Sequence, residues 1–249
     1  MTSVSVCFPA YNEEATIRGV LEEAHDLLAG SGLDYEILVC NDGSTDATAR
    51  IIDEVAARVP RMRIIHHPRN RGIHDTFEHL YHEAGKEFVF LNSTDRQWET
   101  RVLFDLLPLT REFDIVLAVR ERKHYGFVRA VVSWGFNIMP RLLFGLRTSD
   151  AGAVKLVKRE IIQRFPLVSR SPFSEAERLI RASRAGYRIA QRPTATVARQ
   201  SGRARGLSRN LVLQSLRDVP RVWRALRAER PNGQGAEDPR KTEVTNADR

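Results

Sequence analysis

Asp95 and Gln97 stand two residues apart in FLNSTDRQWE, Phe90–Glu99, directly after the apolar run Phe88–Leu91. A carboxylate and an amide oxygen are hard donors of the kind that Mg²⁺ and Mn²⁺ take. At the C-terminal end of a buried strand, they lie where an open α/β sheet binds its ligand. Two residues before Asp95 comes Ser93, a hydroxyl where a second carboxylate would hold a cation better. Three further segments carry residues of the same kind. FPAYNEE, Phe8–Glu14, reads as a strand-to-helix loop with two acids. VCNDGSTDAT, Val39–Thr48, follows a second apolar run; its Asp42 can accept hydrogen bonds from a nucleobase while the loop backbone faces a phosphate. SEAERLIRASRAGYRI and then RPTATVARQSGRARG put Glu175 and Glu177 at a helix start and Arg199 and Arg203 downstream. Each piece alone has a plainer reading: NDGSTD is a good turn and helix cap. Glu175 and Glu177 suit the positive end of a helix dipole, and Arg199 can be a surface charge.

The elements that must position these residues follow from periodicity. Val4–Phe8, Tyr35–Cys40, Met62–His66 and Glu87–Leu91 are β-rich runs, and helical spacings separate them. After Pro9-Ala10-Tyr11, Asn12 is placed to cap a helix carrying Ile17, Val20, Leu21, Ala24 and Leu27. Ser44 or Thr45 is placed to cap the next, with Ile51, Ile52, Val55 and Val59. A third helix is expected over Ile73–Ala84. This alternation predicts βαβ units and a mostly parallel sheet. Beyond it come a helix at Val102–Leu107, a strand at Asp114–Val119, a helical region over Val128–Leu146 and strand-like residues at Ala153–Val157. A helix over Glu175–Ala185 stops at Gly186, and Tyr187–Gln191 is a further strand.

Leu207–Arg230 reads as a separate unit. Val212, Leu216, Val219, Trp223 and Leu226 make one apolar face, and Arg209, Arg217, Arg221, Arg224 and Arg227 occupy much of the remainder, with Pro220 a point of kinking. Such a helix either lies in a membrane interface or packs on the domain with solvated arginines. Residues from Pro231 to the end are polar and read as a disordered tail. The expected organisation is therefore 1–206, 207–230 and 231–249.

The charge balance, +8 over 249 residues, calls for an anionic partner: nucleic acid, anionic lipid or a phosphorylated substrate. Cys7 and Cys40 lie in strand runs and read as buried free thiols. No signal peptide is recognised at the start. The longest apolar stretch, Val131–Leu146, is interrupted by Asn137, Pro140 and Arg141 and falls short of a span. The expectation is a cytoplasmic chain, peripheral on the inner face of the cell membrane.

Taken in order, the segments resemble glycosyltransferase family 2 with the GT-A fold, in its polyprenyl-phosphate, dolichyl-phosphate mannose synthase-like branch. The resemblance runs from about Val4 to Gly206. It rests on Pro9, Tyr11, Asn12 and Glu13; Asn41, Asp42, Gly43, Ser44 and Asp46; Asn70-Arg71-Gly72; Ser93, Asp95 and Gln97; Asp150 and Gly152; Glu175 and Glu177 before Gly186-Tyr187; and Arg199 before Gly202. It implies an α/β GT-A nucleotide-sugar transferase fold. It also implies that Pro9, Ala10, Tyr11, Glu13 and Asp42 bind base and ribose, with Ser93 beside them. Asp95 and Gln97 would hold Mg²⁺ or Mn²⁺ on the diphosphate, and Arg199 and Arg203 would neutralise it. Glu177 matches the acidic residue near the acceptor, with Glu175 beside it. The implied reaction inverts a sugar from a GDP- or UDP-sugar onto a polyprenyl phosphate, with the Leu207–Arg230 segment on an anionic membrane and no role for nucleic acid. A soluble hydroxyl acceptor, which would make Glu177 or Glu175 an essential base, stays open, as does a weakly catalytic nucleotide- or lipid-binding scaffold. The chain departs from the family pattern at Ser93 and Asn41, each in place of an acid, and at the bulky Ile73-His74-Asp75.

Overall fold

The computed structural model describes residues 2–94, 96, 98–120, 135, 138–148, 150–195, 209–229 and 245–246. The chain forms two compact units: Met1–Leu107 with Val154–Gln163 and Thr196–Arg203, and Pro108–Ala153 with Arg164–Ala195 and Ala204–Arg249. Segments of the expected 1–206 domain thus contribute to both.

In the first unit β1 (Ser3–Ala10), β2 (Asp34–Asn41), β3 (Met62–His66) and β4 (Phe88–Leu91) are parallel, in the order β3-β2-β1-β4. β6 (Val154–Lys158) adds to β4 in the antiparallel sense and leads into α5 (Arg159–Arg164). β1 and β4 are buried on both faces, as the continuous runs VSVCF and FVFL require. The helices cover the sheet with most of the faces their spacing predicts, except that Leu28 rather than Leu27 is buried in α1 and that Val59 lies beyond the end of α2. α1 (Ile17–Ala29) buries Ile17, Val20, Leu21, Ala24 and Leu28; α2 (Thr48–Ala56) buries Thr48, Ile51, Ile52 and Val55; α3 (Ile73–Glu83) buries Thr76, Leu80 and Tyr81. α4 (Val102–Leu106) closes this part of the chain.

Register brings the working ends of the strands level. Ala10 pairs with Asn41, and Asn41 with His66. Each ladder then runs one residue further: Asp42 N–H donates to Ala10 O at 2.8 Å, His67 N–H to Asn41 O at 2.9 Å, and Asn92 N–H to Cys7 O at 2.9 Å. The loops carrying Tyr11, Asp42, Arg71 and Ser93 therefore leave one edge of one sheet.

In the second unit β5 (Ile115–Arg120) pairs in parallel with β7 (Ile189–Thr194), which pairs with the short β8 (Thr245–Asn246). In that pairing Ala190 stands beside Thr245 and Gln191 beside Asn246; the other residues of the expected 231–249 tail lie outside the described residues. α6 (Ser174–Arg184) is buried from Ser174 to Ser183. α7 (Arg209–Ala228) is one helix with Pro220 inside it. Residues 138–144 are helical; most of the rest of the expected Val128–Leu146 helix lies outside the described residues.

The apolar face of α7 differs from the expected one. Ser215, Asp218, Val219, Val222 and Leu226 are buried, whereas Leu213, Leu216 and Trp223 are 52%, 47% and 37% exposed. Asp218 explains the rotation. Its carboxylate accepts the Arg170 N–H at 3.0 Å and a bond from Arg221 at 3.1 Å. A buried carboxylate must be satisfied, and these two bonds let the helix keep that side inward while three large apolar side chains stay outside. Among the described residues no helix is long and apolar enough to cross a membrane.

Candidate active site

The first two loops of the sheet edge are laced together by residues whose types suggested helix caps. Asn12 adopts a left-handed backbone, φ 56°. Its N–H donates to Ser44 Oγ at 3.0 Å and its Oδ1 accepts the Thr45 N–H at 2.9 Å. The Glu13 N–H reaches Thr48 Oγ1 at 2.8 Å, and Glu14 accepts the Ala47 N–H at 3.0 Å. Neither Asn12 nor Ser44 caps its own helix: α1 begins at Ile17, and α2 begins at Thr48, whose N–H bonds Asp46 Oδ1 at 3.0 Å. The short polar side chains competed for backbone groups as sequence predicts, but across loops rather than along them. Pro9 and Ala10 are buried strand residues whose carbonyls are taken by Thr94 Oγ1 at 3.2 Å and Asp42 N–H at 2.8 Å. Tyr11 and Glu13 are half-exposed at the loop surface.

Asp42 is 3% exposed. Its Oδ1 accepts from His67 Nδ1 at 2.7 Å and from the Arg71 N–H at 2.9 Å; its Oδ2 accepts the Gly72 N–H at 3.0 Å. An ionised carboxylate has about four lone-pair positions, so one remains for an incoming donor such as a base N–H. Asn70-Arg71-Gly72, part of the sequence pattern, thus acts through its backbone. Gly43, next to Asp42, has φ +67°, and a Cβ there would lie 2.4 Å from the Arg69 carbonyl carbon and 2.6 Å from Asn70 N. Only glycine admits that approach. Asn41 also has a reason: its Oδ1 accepts the Ser44 N–H at 3.1 Å while Nδ2 lies 3.1 Å from His66 Nδ1, whose Nε2 lies 3.0 Å from Asp53. An aspartate would lack the donor that His66 uses.

His67 and His79 are functional candidates that the sequence reading missed. His67 Nε2 lies 2.9 Å from His79 Nδ1 and 3.5 Å from Cys40 Sγ. Burial, with the Asp42 charge, pushes the Cys40 thiol up to about 12. Burial and the neighbouring His67 lower the His79 imidazole below its ordinary value. The signal in sequence was the pair His66-His67 at the end of β3, with its partner six residues into α3.

At the end of β4, Asn92 Oδ1 accepts the Ser93 N–H at 2.8 Å and Thr94 bonds the β1 carbonyl noted above. Ser93 is half-exposed beside β1. Asp95 and Gln97 lie outside the described residues, as do Arg199 and Arg203.

In the second unit the two expected acids part company. Residues two apart on a helix face different sides. Glu175 is 7% exposed. Glu177 is 0% exposed, and its carboxylate collects the Val168 N–H at 3.0 Å, the Ser169 N–H at 2.8 Å, the Ser169 hydroxyl and Arg181 Nε at 2.8 Å. Four donors fill the four lone-pair positions. A general base needs an open lone pair toward its substrate; in this structure all four positions of Glu177 serve to fold residues 168–169 onto α6. Asp150, another residue of the pattern, is bonded by Arg120 at 2.8 Å.

The family model for glycosyl transferase family 2 matches residues 5–176. The chain is 31% identical over 209 residues to glycosyltransferase AglD of Haloferax volcanii, covering 76% of this chain and 32% of that one. It is 24% identical over 242 residues to the undecaprenyl-phosphate mannosyltransferase of Micrococcus luteus, covering 90% of this chain and 98% of that one. It spans about a third to two fifths of the first two relatives it matches, the second being the putative glycosyltransferase CsbB of Bacillus subtilis. Among solved structures it resembles glucosyl-3-phosphoglycerate synthase of Mycobacterium tuberculosis in complex with Mn²⁺, UDP-glucose and phosphoglyceric acid. There the TM-score is 0.69 at 20% identity, over 89% of this chain and 80% of that one. The fold is therefore GT-A, and the chain belongs to glycosyl transferase family 2.

Proposed function

We propose that this glycosyltransferase moves a sugar, with inversion, from a GDP- or UDP-sugar to a polyprenyl phosphate at the cytoplasmic face of a membrane. The observation that favours this acceptor is the carboxylate of Glu177, whose lone-pair positions are taken by protein donors; Glu175 is the other acid that a hydroxyl acceptor would call on. A hydroxyl acceptor needs a base. A phosphate monoester, with a second pKa of about 6, is largely dianionic at neutral pH and attacks without one. The Micrococcus relative, named for transfer to undecaprenyl phosphate, supports the same reading across nearly its whole length. So does α7, where Leu213, Leu216 and Trp223 are exposed among arginines and the Arg227 guanidinium stacks 3.7 Å over the Trp223 ring. Arginines near an anionic leaflet contribute about 1 kcal/mol each.

In this reading the last lone-pair position of Asp42 takes a base N–H, and Tyr11 and Glu13 border the ribose. Arg199 and Arg203 offer guanidinium forks to the diphosphate. Asp95 and Gln97 form an oxygen donor set that fits a hard divalent cation, and Ser93 makes it weaker than a two-carboxylate set. A bound Mg²⁺ or Mn²⁺ would neutralise charge on the departing diphosphate. The acceptor phosphate attacks the anomeric carbon from the face opposite the leaving group, through an oxocarbenium-like state.

A radiolabelled nucleotide-sugar panel incubated with extracted lipids tests this. The expected result is label in the organic phase, reduced on the order of 10²-fold or more by Asp95→Ala. Label confined to a water-soluble glycoside overturns the lipid acceptor, and binding of nucleotide without turnover overturns the enzyme. Leu216→Ser with Trp223→Ser should lower co-sedimentation with anionic liposomes while leaving donor hydrolysis unchanged. Equal co-sedimentation removes α7 from the membrane.

A further inference from the structure

We infer that Cys40, His67 and His79 form a binding site for a borderline-soft divalent cation of the Zn²⁺ class, chemically distinct from the oxygen donors at Asp95 and Gln97. Cys40 is the penultimate residue of β2, His67 follows β3, and His79 sits on α3. Cys40 is 0% and His67 5% exposed, while His79 is half-exposed. One ligand atom from each lies within 4.8 Å of the other two.

The protons argue for a missing partner. His67 Nδ1 faces an Asp42 carboxylate oxygen at 2.7 Å, so Nδ1 carries the hydrogen and Nε2 presents a lone pair. His79 Nδ1, at 2.9 Å, and Cys40 Sγ, at 3.5 Å, both face that nitrogen. A single lone pair cannot accept from both. A cation gives three electron-pair donors a common partner instead.

The spacing agrees. Tetrahedral zinc with Zn–N of about 2.05 Å and Zn–S of about 2.3 Å separates nitrogen from sulfur by about 3.6 Å and nitrogen from nitrogen by about 3.3 Å. The Cys40 Sγ to His67 Nε2 distance is 3.5 Å as found, and the ligand atoms of Cys40 and His79 lie within 4.8 Å of each other, a leg that must close as His79 turns. The two imidazoles, at 2.9 Å with rings parallel to within 5°, must open by about 0.4 Å. The half-exposed His79 can do so by turning Nδ1 toward the sulfur, and its open side admits water as a fourth ligand. Thiolate and imidazole select zinc over Mg²⁺. Asp42, on the far nitrogen of His67, is the carboxylate that commonly fixes a ligating histidine. Binding releases one proton, from the Cys40 thiol to solvent; His79 shifts its own to Nε2, and no electron is transferred. The ion would tie β2, the exit of β3 and α3 together behind Asp42.

The test uses untagged, full-length, chelator-stripped protein carrying Asp95→Ala, which disables the oxygen set, with Zn²⁺ and Co²⁺ as probes. The expected results are one Zn²⁺ per chain, a higher melting temperature with Zn²⁺, and a thiolate-to-cobalt charge-transfer band in the near ultraviolet. Cys40→Ser should abolish the band. His79→Ala, on the helix surface, should weaken Zn²⁺ binding more than about tenfold while keeping the fold by circular dichroism. Cys7→Ser should change neither. No stoichiometric binding, a cobalt spectrum without the thiolate band, or affinity unaltered in folded His79→Ala overturns the site.

Discussion

Two carboxylates, one near each end of β2, do the same mechanical job at opposite ends of one helix, and they differ in what balances their charge. Asp42, just past the C-terminal end of β2, holds Gly72, the residue before α3, by its N–H at 3.0 Å. Glu36, near the N-terminal end of β2, holds Gly85, two residues past α3, by its N–H at 2.6 Å. α3 is thus pinned along the sheet between them. Glu36 also accepts the Ser5 hydroxyl at 2.6 Å and Arg63 at 3.2 Å, and Arg63 bonds the Glu83 carbonyl at 3.1 Å. The helix dipole accounts for the asymmetry. The C-terminal end of α3 is negative, so a carboxylate there needs a guanidinium beside it. Asp42 faces the positive end and makes do with backbone N–H groups and an imidazole. One end is therefore closed by a formal cation, while the carboxylate at the other keeps one lone-pair position, the one the proposed reading assigns to a base N–H. A carboxylate that looks buried and satisfied can still be a binding group, provided that dipoles rather than a formal cation satisfy it.

Asp42→Asn should break this comparison most strongly. The amide offers one oxygen where two are used, and its NH₂ would face an N–H or the His67 ring. Loss of hydrogen bonds to a charged acceptor should cost about 3 kcal/mol of unfolding free energy. Transfer from the nucleotide sugar should fall on the order of 10²-fold, with chemical denaturation and initial rates as the readouts. A variant with normal kcat/KM would show that Asp42 serves only the loop.

Gly43→Ala should come next. The added methyl would meet the backbone of residues 69–70 at 2.4 Å, at a φ that disfavours any side chain. A cost of about 2 kcal/mol is expected, with the rise concentrated in KM for the donor because the loop that shifts also carries Arg71. A drop in kcat alone at unchanged stability would count against the Gly43 approach as a binding device.

The strands and helices of the first unit were legible because both faces of the sheet are buried and the helix faces repeat at 3.6 residues. The lacing of the loops was not. Asn12, Ser44 and Thr45 carry the chemistry of caps, and nothing local distinguishes a side chain that caps its own helix from one that caps a neighbouring loop. Nor could spacing show that Glu177 turns inward: an acid in a first helical turn looks the same whether it faces a substrate or the backbone of residues 168–169. The Cys40, His67 and His79 cluster was invisible for a related reason. Its members are scattered over 40 positions and meet only because β2, β3 and α3 are neighbours. The apolar face of α7 was half legible: periodicity found the apolar residues, but Asp218 set which of them turn inward.

The smallest effect should come from Glu36→Gln, and it sharpens the contrast through pH. Burial works to raise the Glu36 carboxyl, but the bonds from Ser5, the Gly85 N–H and Arg63 outweigh it and hold the group below its ordinary value of 4.5. A carboxyl lowered by folding stabilises the native state above its unfolded pKa, and that contribution is lost as pH falls through the folded value. Glu36→Gln keeps an oxygen for the Gly85 N–H and removes the charge, so its cost near neutral pH should be about 1 kcal/mol. The difference from wild type should then shrink as the pH is taken below about 4.5, the ordinary value. Donor turnover at neutral pH should stay at the wild-type level, because Glu36 lies near the opposite end of β2 from the loop that carries Asp42. A wild-type acid limb in the variant would place the titration elsewhere. A loss of turnover comparable to that of Asp42→Asn would mean that the two ends of α3 are coupled, and that the closed edge is part of the site after all.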